Sequence, residues 1–184
     1  MIVKETTLEG CYIIEPTIHK DDRGYFYESF NKVKFEKAIN EKVNFVQDNQ
    51  SSSRYGVLRG IHFQKGVFAQ AKLVRVLQGE VLDVVVDLRK HSKTFGQFET
   101  ILLSDANKKQ LFVPRGFGHG FITLSETSEF AYKCDNYYHK ESESGIIYND
   151  PTLNIDWQVP ETQIIVAEKD RELPSFKALI QEAV

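Results

Sequence analysis

The segment Gly56-Val57-Leu58-Arg59-Gly60-Ile61-His62-Phe63-Gln64 sets an arginine, a histidine and a glutamine into an otherwise apolar run. After the turn Lys65-Gly66-Val67-Phe68, Gln70-Ala71-Lys72-Leu73-Val74-Arg75-Val76 repeats the pattern with a lysine. Burying such groups is costly unless they are paired or used. Taken singly, each reads as a polar residue on the open side of an edge strand. Taken together, they read as a site. Strict alternation puts Arg59 and His62 on opposite faces of a strand. Gly60 lies between them, and a glycine inside a strand often marks a bulge. A bulge there brings both side chains to one side.

On the N-terminal side, residues 2–15 read as one or two short strands and Asp21-Asp22-Arg23-Gly24 as a turn. Residues 25–30 read as an aromatic-rich strand, and Asn31 is placed to cap a short helix over 32–40. Residues 43–50 read as a strand with Val43, Phe45, Gln47 and Asn49 on one face, and 51–56 as a loop. Past the central segment, residues 81–88 have the strongest strand character of the chain. Leu82, Val84, Val86 and Leu88 share an apolar face. On the other face, Asp83 and Asp87 either line a barrel lumen suited to cations or look into solvent. Further strands are expected at 98–103, 110–114, 118–124 and 129–135, with a loop-like stretch over 142–160. Phe176, Leu179, Ile180 and Ala183 share one face of a short helix over about 174–183. Short strands at this spacing indicate an all-β sandwich or barrel with a few short peripheral helices.

The 184 residues suit one domain, 1–184, with a sizeable core. Hydrophobic residues at 41% and charged residues at 27% are ordinary for a globular protein in water. A net charge of −3 leaves no broad cationic footprint for nucleic acid. No apolar run is long enough to span a bilayer, and Met1-Ile2-Val3-Lys4-Glu5 does not open a signal peptide. Cys11 and Cys134 fit no metal or redox spacing and read as free thiols in a reducing cytoplasm.

Two segments resemble the paired motifs of the cupin superfamily. Its first motif runs Gly, five residues, His-x-His, then a Glu seven residues ahead of a Gly. Here Gly56 stands six residues before His62, Gln64 takes the place of the second His, and Lys72 stands seven residues before Gly79. The second motif, Pro-x-Gly-x-x-His, is Pro114-Arg115-Gly116-Phe117-Gly118-His119. The resemblance implies a cupin jelly-roll barrel. A lysine ammonium has no lone pair for a metal, and iron or manganese needs several His and carboxylate ligands. No metal and no other cofactor are therefore expected. A pocket with His, Lys and Arg suits proton abstraction next to a carbonyl. Histidine titrates near neutrality and serves as a base, lysine stabilises an enolate oxygen, and the phenol of Tyr132 is available to return a proton.

The chain also resembles the dTDP-4-dehydrorhamnose 3,5-epimerases. The similar segments include Asp22-Arg23-Gly24-Tyr25-Phe26-Tyr27-Glu28-Ser29-Phe30, Gln47-Asp48-Asn49-Gln50-Ser51, the Gly56 and Gln70 segments, and the Pro114 motif. Tyr132-Lys133-Cys134, Asn149-Asp150-Pro151 and Glu168-Lys169-Asp170 complete the set, in the family's order. Tyr148 and Gln158 depart from it, standing where the family carries Trp and Pro. The resemblance implies that His62 is the base, Asp170 its orienting partner, Tyr132 the acid on the opposite face and Lys72 the enolate stabiliser. It further implies substrate contacts from Gln47, Asn49, Arg59 and His119, stacking of thymine on Tyr138, and contacts from Glu143 and Lys169. Arg23, Phe26 and Glu28 are implied as nucleotide contacts supplied by the neighbouring subunit of a homodimer with exchanged N-terminal strands. The implied reaction inverts C3 and C5 of dTDP-4-dehydro-6-deoxy-D-glucose in dTDP-L-rhamnose biosynthesis. Relatives that invert one carbon of a related ketosugar keep a mono-epimerase open as the alternative. A metal-dependent oxygenase and a non-catalytic sugar-binding cupin are the other classes, separable by bound iron and by proton exchange.

Overall fold

The computed structural model describes residues 1–182. Its strands are β1 (Ile2–Glu5), β2 (Tyr12–Glu15), β3 (His19–Asp21), β4 (Gly24–Phe26), β5 (Gln47–Arg54), β6 (Val57–Gln64) and β7 (Lys72–Gln78). They continue with β8 (Glu80–Asp87), β9 (Phe98–Ser104), β10 (Gln110–Val113), β11 (Phe117–Thr123), β12 (Thr127–Cys134), β13 (Glu143–Gly145) and β14 (Ile165–Val166). Three short helices, α1 (Lys32–Ile39), α2 (Glu168–Arg171) and α3 (Phe176–Glu182), lie at the periphery.

Two sheets make the jelly roll. One has the strand order β1-β2-β10-β7-β12-β5, the other β13-β6-β11-β8-β9 with β14 beside β6. Between them lies a core drawn from both, with Val74, Val76, Leu111, Val113 and Phe130 packed against Val81, Val85, Leu103, Phe117 and Phe121. The outer face of the second sheet is covered as well. Leu82, Val84 and Val86 of β8 pack under Ile146, Trp157, Phe176 and Leu179. β8 is thus buried on both faces, which explains its nearly continuous apolar run. On the outer face of the first sheet, Phe35 and Ile39 of α1 pack on Ile14, Leu73 and Phe112. Asn31 caps α1 by accepting from the Lys34 backbone N–H at 3.1 Å.

Several sequence expectations need correction. Residues 51–54 are not a loop. β5 runs through Arg54 and pairs with β12, Ser51 opposite Phe130 and Ser53 opposite Ser128. Serines read as turn residues, but here the ladder supplies the order and one face looks into a polar cavity. The expected strand at 25–30 survives only as β4, which among the described residues pairs with β3 alone, and residues 27–30 join no ladder among them. Residues 43–46 precede the strand, with Val43 and Phe45 joining the α1 cluster. The 142–160 stretch contains β13, which pairs with β6, and α2 was not foreseen. The helix expected over 174–183 begins after Pro174, and Ala183 lies outside the described residues. At the two positions that depart from the family, Tyr148 is buried with its carbonyl accepting from Trp157 Nε1 at 2.8 Å, and Gln158 takes φ 59°. Cys11 and Cys134 are buried free thiols; burial pushes Cys11 up to about 12 and Cys134 up to about 11.

Neither aspartate of β8 meets solvent. Asp83 turns into the lumen, whereas Asp87 anchors the turn to β9. The Asp87 carboxylate accepts from Arg89 Nε at 2.9 Å, Ser92 Oγ at 2.6 Å and Thr94 Oγ1 at 2.6 Å. Burial works to raise its pKa, but these hydrogen bonds prevail and lower it from 3.8 to about 2. A depressed carboxylate pKa stabilises the fold above the unfolded value and ceases to do so as the pH falls through the folded one. Asp87 is therefore expected to contribute about 2 kcal/mol at neutral pH, lost between the unfolded value of 3.8 and the folded value of about 2. Denaturant unfolding of Asp87→Asn and the parent across that range measures it. A stability gap between the two that stays constant with pH would refute the assignment.

Candidate active site

The cavity between the sheets opens as two lobes. The inner lobe, about 450 Å³, is lined by Ser51, Arg59, His119, Phe121, Phe130, Lys169 and Asp170 among others. The outer lobe, about 270 Å³, is lined by Gln47, Asn49, Gln64, Gln70, Tyr138 and Glu143. His62, Lys72 and Tyr132 line both and form the waist between them. An apolar hollow of about 340 Å³ under α3 contains none of these groups.

The bulge expected at Gly60 is present. His119 of β11 lies opposite His62, and Phe121 lies opposite Arg59. Three steps on β6 thus match two on β11, and the extra residue turns Arg59 and His62 to the same side. Gly60 takes φ 127° against the neighbouring strand, where a Cβ would lie 2.5 Å from Gly120 Cα. Arg59 then reaches across to β5, donating from Nε to Ser53 Oγ at 3.0 Å and from its terminal nitrogen to the Ser52 carbonyl at 3.1 Å.

His62 Nε2 lies 2.7 Å from Asp170 Oδ1. α2 brings this carboxylate in from 108 residues downstream. With the Nε2 proton directed at Asp170, the lone pair falls on Nδ1. Asp170 is buried, which favours the neutral acid. The hydrogen bond from His62, its charge, the Lys169 ammonium and the Gly60 N–H outweigh burial and hold the pKa below the ordinary value.

Tyr132 stands on β12, in the sheet opposite β6. Burial raises its pKa, aided by Cys134 and Glu143 and opposed by Arg59, so the phenol stays protonated at neutral pH. Lys72 sits two residues from Tyr132 in the paired register, opposite Cys134. Its ammonium lies 5.8 Å from the Tyr132 ring centroid. Among the described residues it makes no hydrogen bond or ion pair. Burial depresses its pKa, against the opposing pull of Cys134, Asp83 and Glu143. A half-buried cation facing a cavity interacts strongly with any negative charge that develops beside it.

A second His–Asp pair closes the floor. His119 Nε2 lies 2.9 and 3.1 Å from the two oxygens of Asp83, which is fully buried. Burial raises the Asp83 pKa, opposed by His119 and then by Lys72. The sequence marked Asp83 only as one of two open alternatives, because a partner 36 residues away is invisible in strand periodicity. Ser53 falls in the segment read as a loop, and the unbroken polar run of residues 47–53 carries no periodicity that could have marked it. In the outer lobe, the Tyr138 hydroxyl donates to Glu143 at 3.1 Å and Lys169 Nζ lies 3.4 Å from the same carboxylate. Arg23, Phe26 and Glu28 do not enter the cavity of their own chain. Arg23 pairs with Asp21 at 2.6 Å, Phe26 is 71% exposed, and Glu28 pairs with Lys34 at 2.8 Å.

The residues do not fit the metal of other cupins. At the motif positions, His62 faces Asp170, the Gln64 amide holds backbone, Lys72 carries no lone pair and His119 faces Asp83. Among the described residues, no three His, Cys, Asp or Glu side chains converge as a ligand set. The arrangement suits acid–base chemistry instead, with a base and a phenol on opposite walls and a cation between them.

Comparison with known proteins agrees with this chemistry. The family model for dTDP-4-dehydrorhamnose 3,5-epimerase matches residues 5–178. The dTDP-4-dehydrorhamnose 3,5-epimerase of Salmonella typhimurium is 50% identical over 186 residues, covering 99% of this chain and 100% of that one. The crystal structure of dTDP-4-dehydrorhamnose 3,5-epimerase from Elizabethkingia anophelis superposes with a TM-score of 0.94 at 56% identity, covering 97% of each chain. The dTDP-6-deoxy-D-glucose-3,5-epimerase of Legionella pneumophila, solved in complex with dTDP-4-keto-L-rhamnose, has a TM-score of 0.94 at 46% identity, over 100% of this chain and 96% of that chain.

The bulge at Gly60 is open to test. In Gly60→Ala the new methyl meets Gly120 Cα at 2.5 Å and the His119 carbonyl at 2.9 Å. The expected loss of stability is about 2–4 kcal/mol, with turnover falling further because Arg59 and His62 shift. An unfolding midpoint and a turnover both close to the parent's would show that the bulge tolerates a side chain.

Proposed function

The chain belongs to the dTDP-4-dehydrorhamnose 3,5-epimerase family, and from that premise we propose how its own residues carry the reaction. The protein is an isomerase that inverts C3 and C5 of dTDP-4-dehydro-6-deoxy-D-glucose, giving dTDP-4-dehydro-L-rhamnose for dTDP-L-rhamnose biosynthesis. The observation that carries the reading is the waist, where His62 and Tyr132 stand on opposite sheets with unpaired Lys72 beside them.

The C4 ketone acidifies the C–H bonds on both sides of it. His62 Nδ1 takes the proton and the C–H electrons move into the carbonyl, leaving an enolate oxygen. Asp170 keeps the imidazole oriented and stabilises the imidazolium that forms. Lys72 stabilises the enolate oxygen, with a charge the protein leaves uncompensated until that moment. Tyr132 then delivers its proton to the carbon from the opposite side, which creates the inverted centre. The phenolate regains a proton from solvent and His62 releases its own. Electrons return to the carbon they left, so the balance calls for no redox cofactor. Arg59, His119, Gln47, Asn49, Tyr138, Glu143 and Lys169 are proposed to hold the nucleotide and sugar.

Two variants test these roles in D2O, read by NMR. His62→Ala is expected to lose deuterium wash-in by roughly two to four orders of magnitude while still binding dTDP. Tyr132→Phe keeps the base and the cation, so it is expected to retain exchange while inversion falls much further, most clearly at C5. Near-normal exchange in the first variant, or equal losses of exchange and inversion in the second, would remove that residue from its role. Deuterium at one carbon only in the parent enzyme would make it a mono-epimerase.

We further propose that residues 1–184 act as one catalytic domain within a cytoplasmic homodimer. The exposed Phe26 and the placement of Arg23 and Glu28 away from their own cavity support delivery to a partner's site by exchanged N-terminal strands. The two free thiols support the compartment, and recovery of the active enzyme from a secreted fraction would count against it. Mixing Arg23→Ala with His62→Ala protein, each nearly inactive alone, is expected to restore activity, because one site of the mixed dimer regains both residues. Mixtures no more active than their components would contradict the shared site.

A further inference from the structure

Gln64 occupies the position where the cupin motif places a histidine, yet its side chain does not turn to the reacting centre. It is 7% exposed, and its amide is fully engaged. Nε2 donates to the Phe68 carbonyl at 2.7 Å and to the Tyr137 carbonyl at 3.2 Å, and Oε1 accepts from the His139 backbone N–H at 2.6 Å. A second glutamine completes the hold, with Gln47 Oε1 accepting from the Tyr138 N–H at 3.0 Å. Residues 137–139 lie outside any strand or helix. Three consecutive residues therefore take their backbone order from side chains rather than from a ladder, with Asn136 Oδ1 adding an acceptor for the Tyr137 N–H at 2.9 Å. The ring of His139 also stacks on Phe68 at 3.8 Å, so Gln64 ties together the two loops that add Gln70 and Tyr138 to the outer lobe.

The residue at the centre of this clamp is Tyr138. Its backbone is fixed from both sides, and its ring lines the outer lobe with the hydroxyl tethered to Glu143. We propose that Gln64 is a positioning residue for nucleotide recognition, holding Tyr138 as the aromatic platform for the nucleobase. This rests on the reading of Tyr138 as a nucleobase contact. Side-chain ordering costs free energy on binding, and a platform held in place beforehand avoids that cost. Gln64 acts through the loop and stands apart from proton transfer.

Calorimetry with dTDP on the full-length protein, Gln64→Met, Tyr138→Ala and the double variant tests the proposal. Gln64→Met leaves two carbonyls and one N–H without partners, and is expected to weaken dTDP binding roughly tenfold or more. KM is expected to rise in parallel while kcat falls by less than about threefold. Affinity for inorganic diphosphate, which has no base to stack, is expected to stay within about twofold, a selectivity that general loosening of the fold would not produce. The double variant is expected to bind dTDP no more weakly than Tyr138→Ala. Multiplying losses in the double variant, equal losses for dTDP and diphosphate, or parent-like binding by Gln64→Met would each overturn the proposal. If Tyr138→Ala itself bound dTDP like the parent, the reading of Tyr138 would fail first and the proposal with it. Should Gln64→Met not fold, Gln64→Glu, which keeps the acceptor for His139 and loses both donors, decides by the same measurements.

Discussion

One extra residue in β6 makes the site possible. A regular strand would send Arg59 and His62 to opposite sides, one into the cavity and one into the packing around Ile146 and Trp157. The bulge at Gly60 turns both inward, and the glycine lets β11 approach closely enough to keep the ladder. The same backbone reaches the His62–Asp170 pair, because the Gly60 N–H helps hold the Asp170 carboxylate ionised. The bulge, His62 and Asp170 are thus one mechanical unit.

Around that unit the lumen is charged, and each buried charge has a stated relation to its neighbours. Asp170 answers His62 and Asp83 answers His119. Lys72 answers no carboxylate at ion-pair distance among the described residues. An isolated ammonium in such a setting is costly, and the depressed pKa of Lys72 records that cost. In the proposed reaction an oxygen of the substrate becomes negative beside it, which offsets that cost. The same residue explains the departure from metal-binding cupins, since a fixed cation stands in the sequence position of a carboxylate ligand.

In the proposed reaction His62, Lys72 and Tyr132 act at the waist, all carried on paired strands, and the proposed binding residues lie in both lobes. The two loop segments that add Gln70 and Tyr138 to the outer wall take their order from the side chains of Gln64, Gln47, Asn136 and Gln70, with Asn136 donating to the Val67 carbonyl at 3.0 Å and Gln70 to the Asn136 carbonyl at 2.8 Å. Rigid strands suit a constellation that must be positioned closely. Side-chain clamps suit a binding wall that can vary without disturbing it.

Much of this was legible in the chain itself. Alternation in residues 81–88 and the spacing of short strands indicated an all-β roll, because apolar faces repeat every second residue. The cupin-like positions of His62, Lys72 and His119 were readable because motif spacing survives substitution at single positions. The glycine between Arg59 and His62 announced a bulge for a steric reason that needs no structure. The tertiary structure alone decided the pairings. Periodicity records which way a side chain points, not what comes to meet it, so Asp83 with His119, Ser53 with Arg59 and Gln64 with residues 137–139 emerged only when distant strands and loops were brought together. The serines of β5 belong here too, since their strand exists by virtue of β12 and a polar cavity, two features that local propensity does not encode.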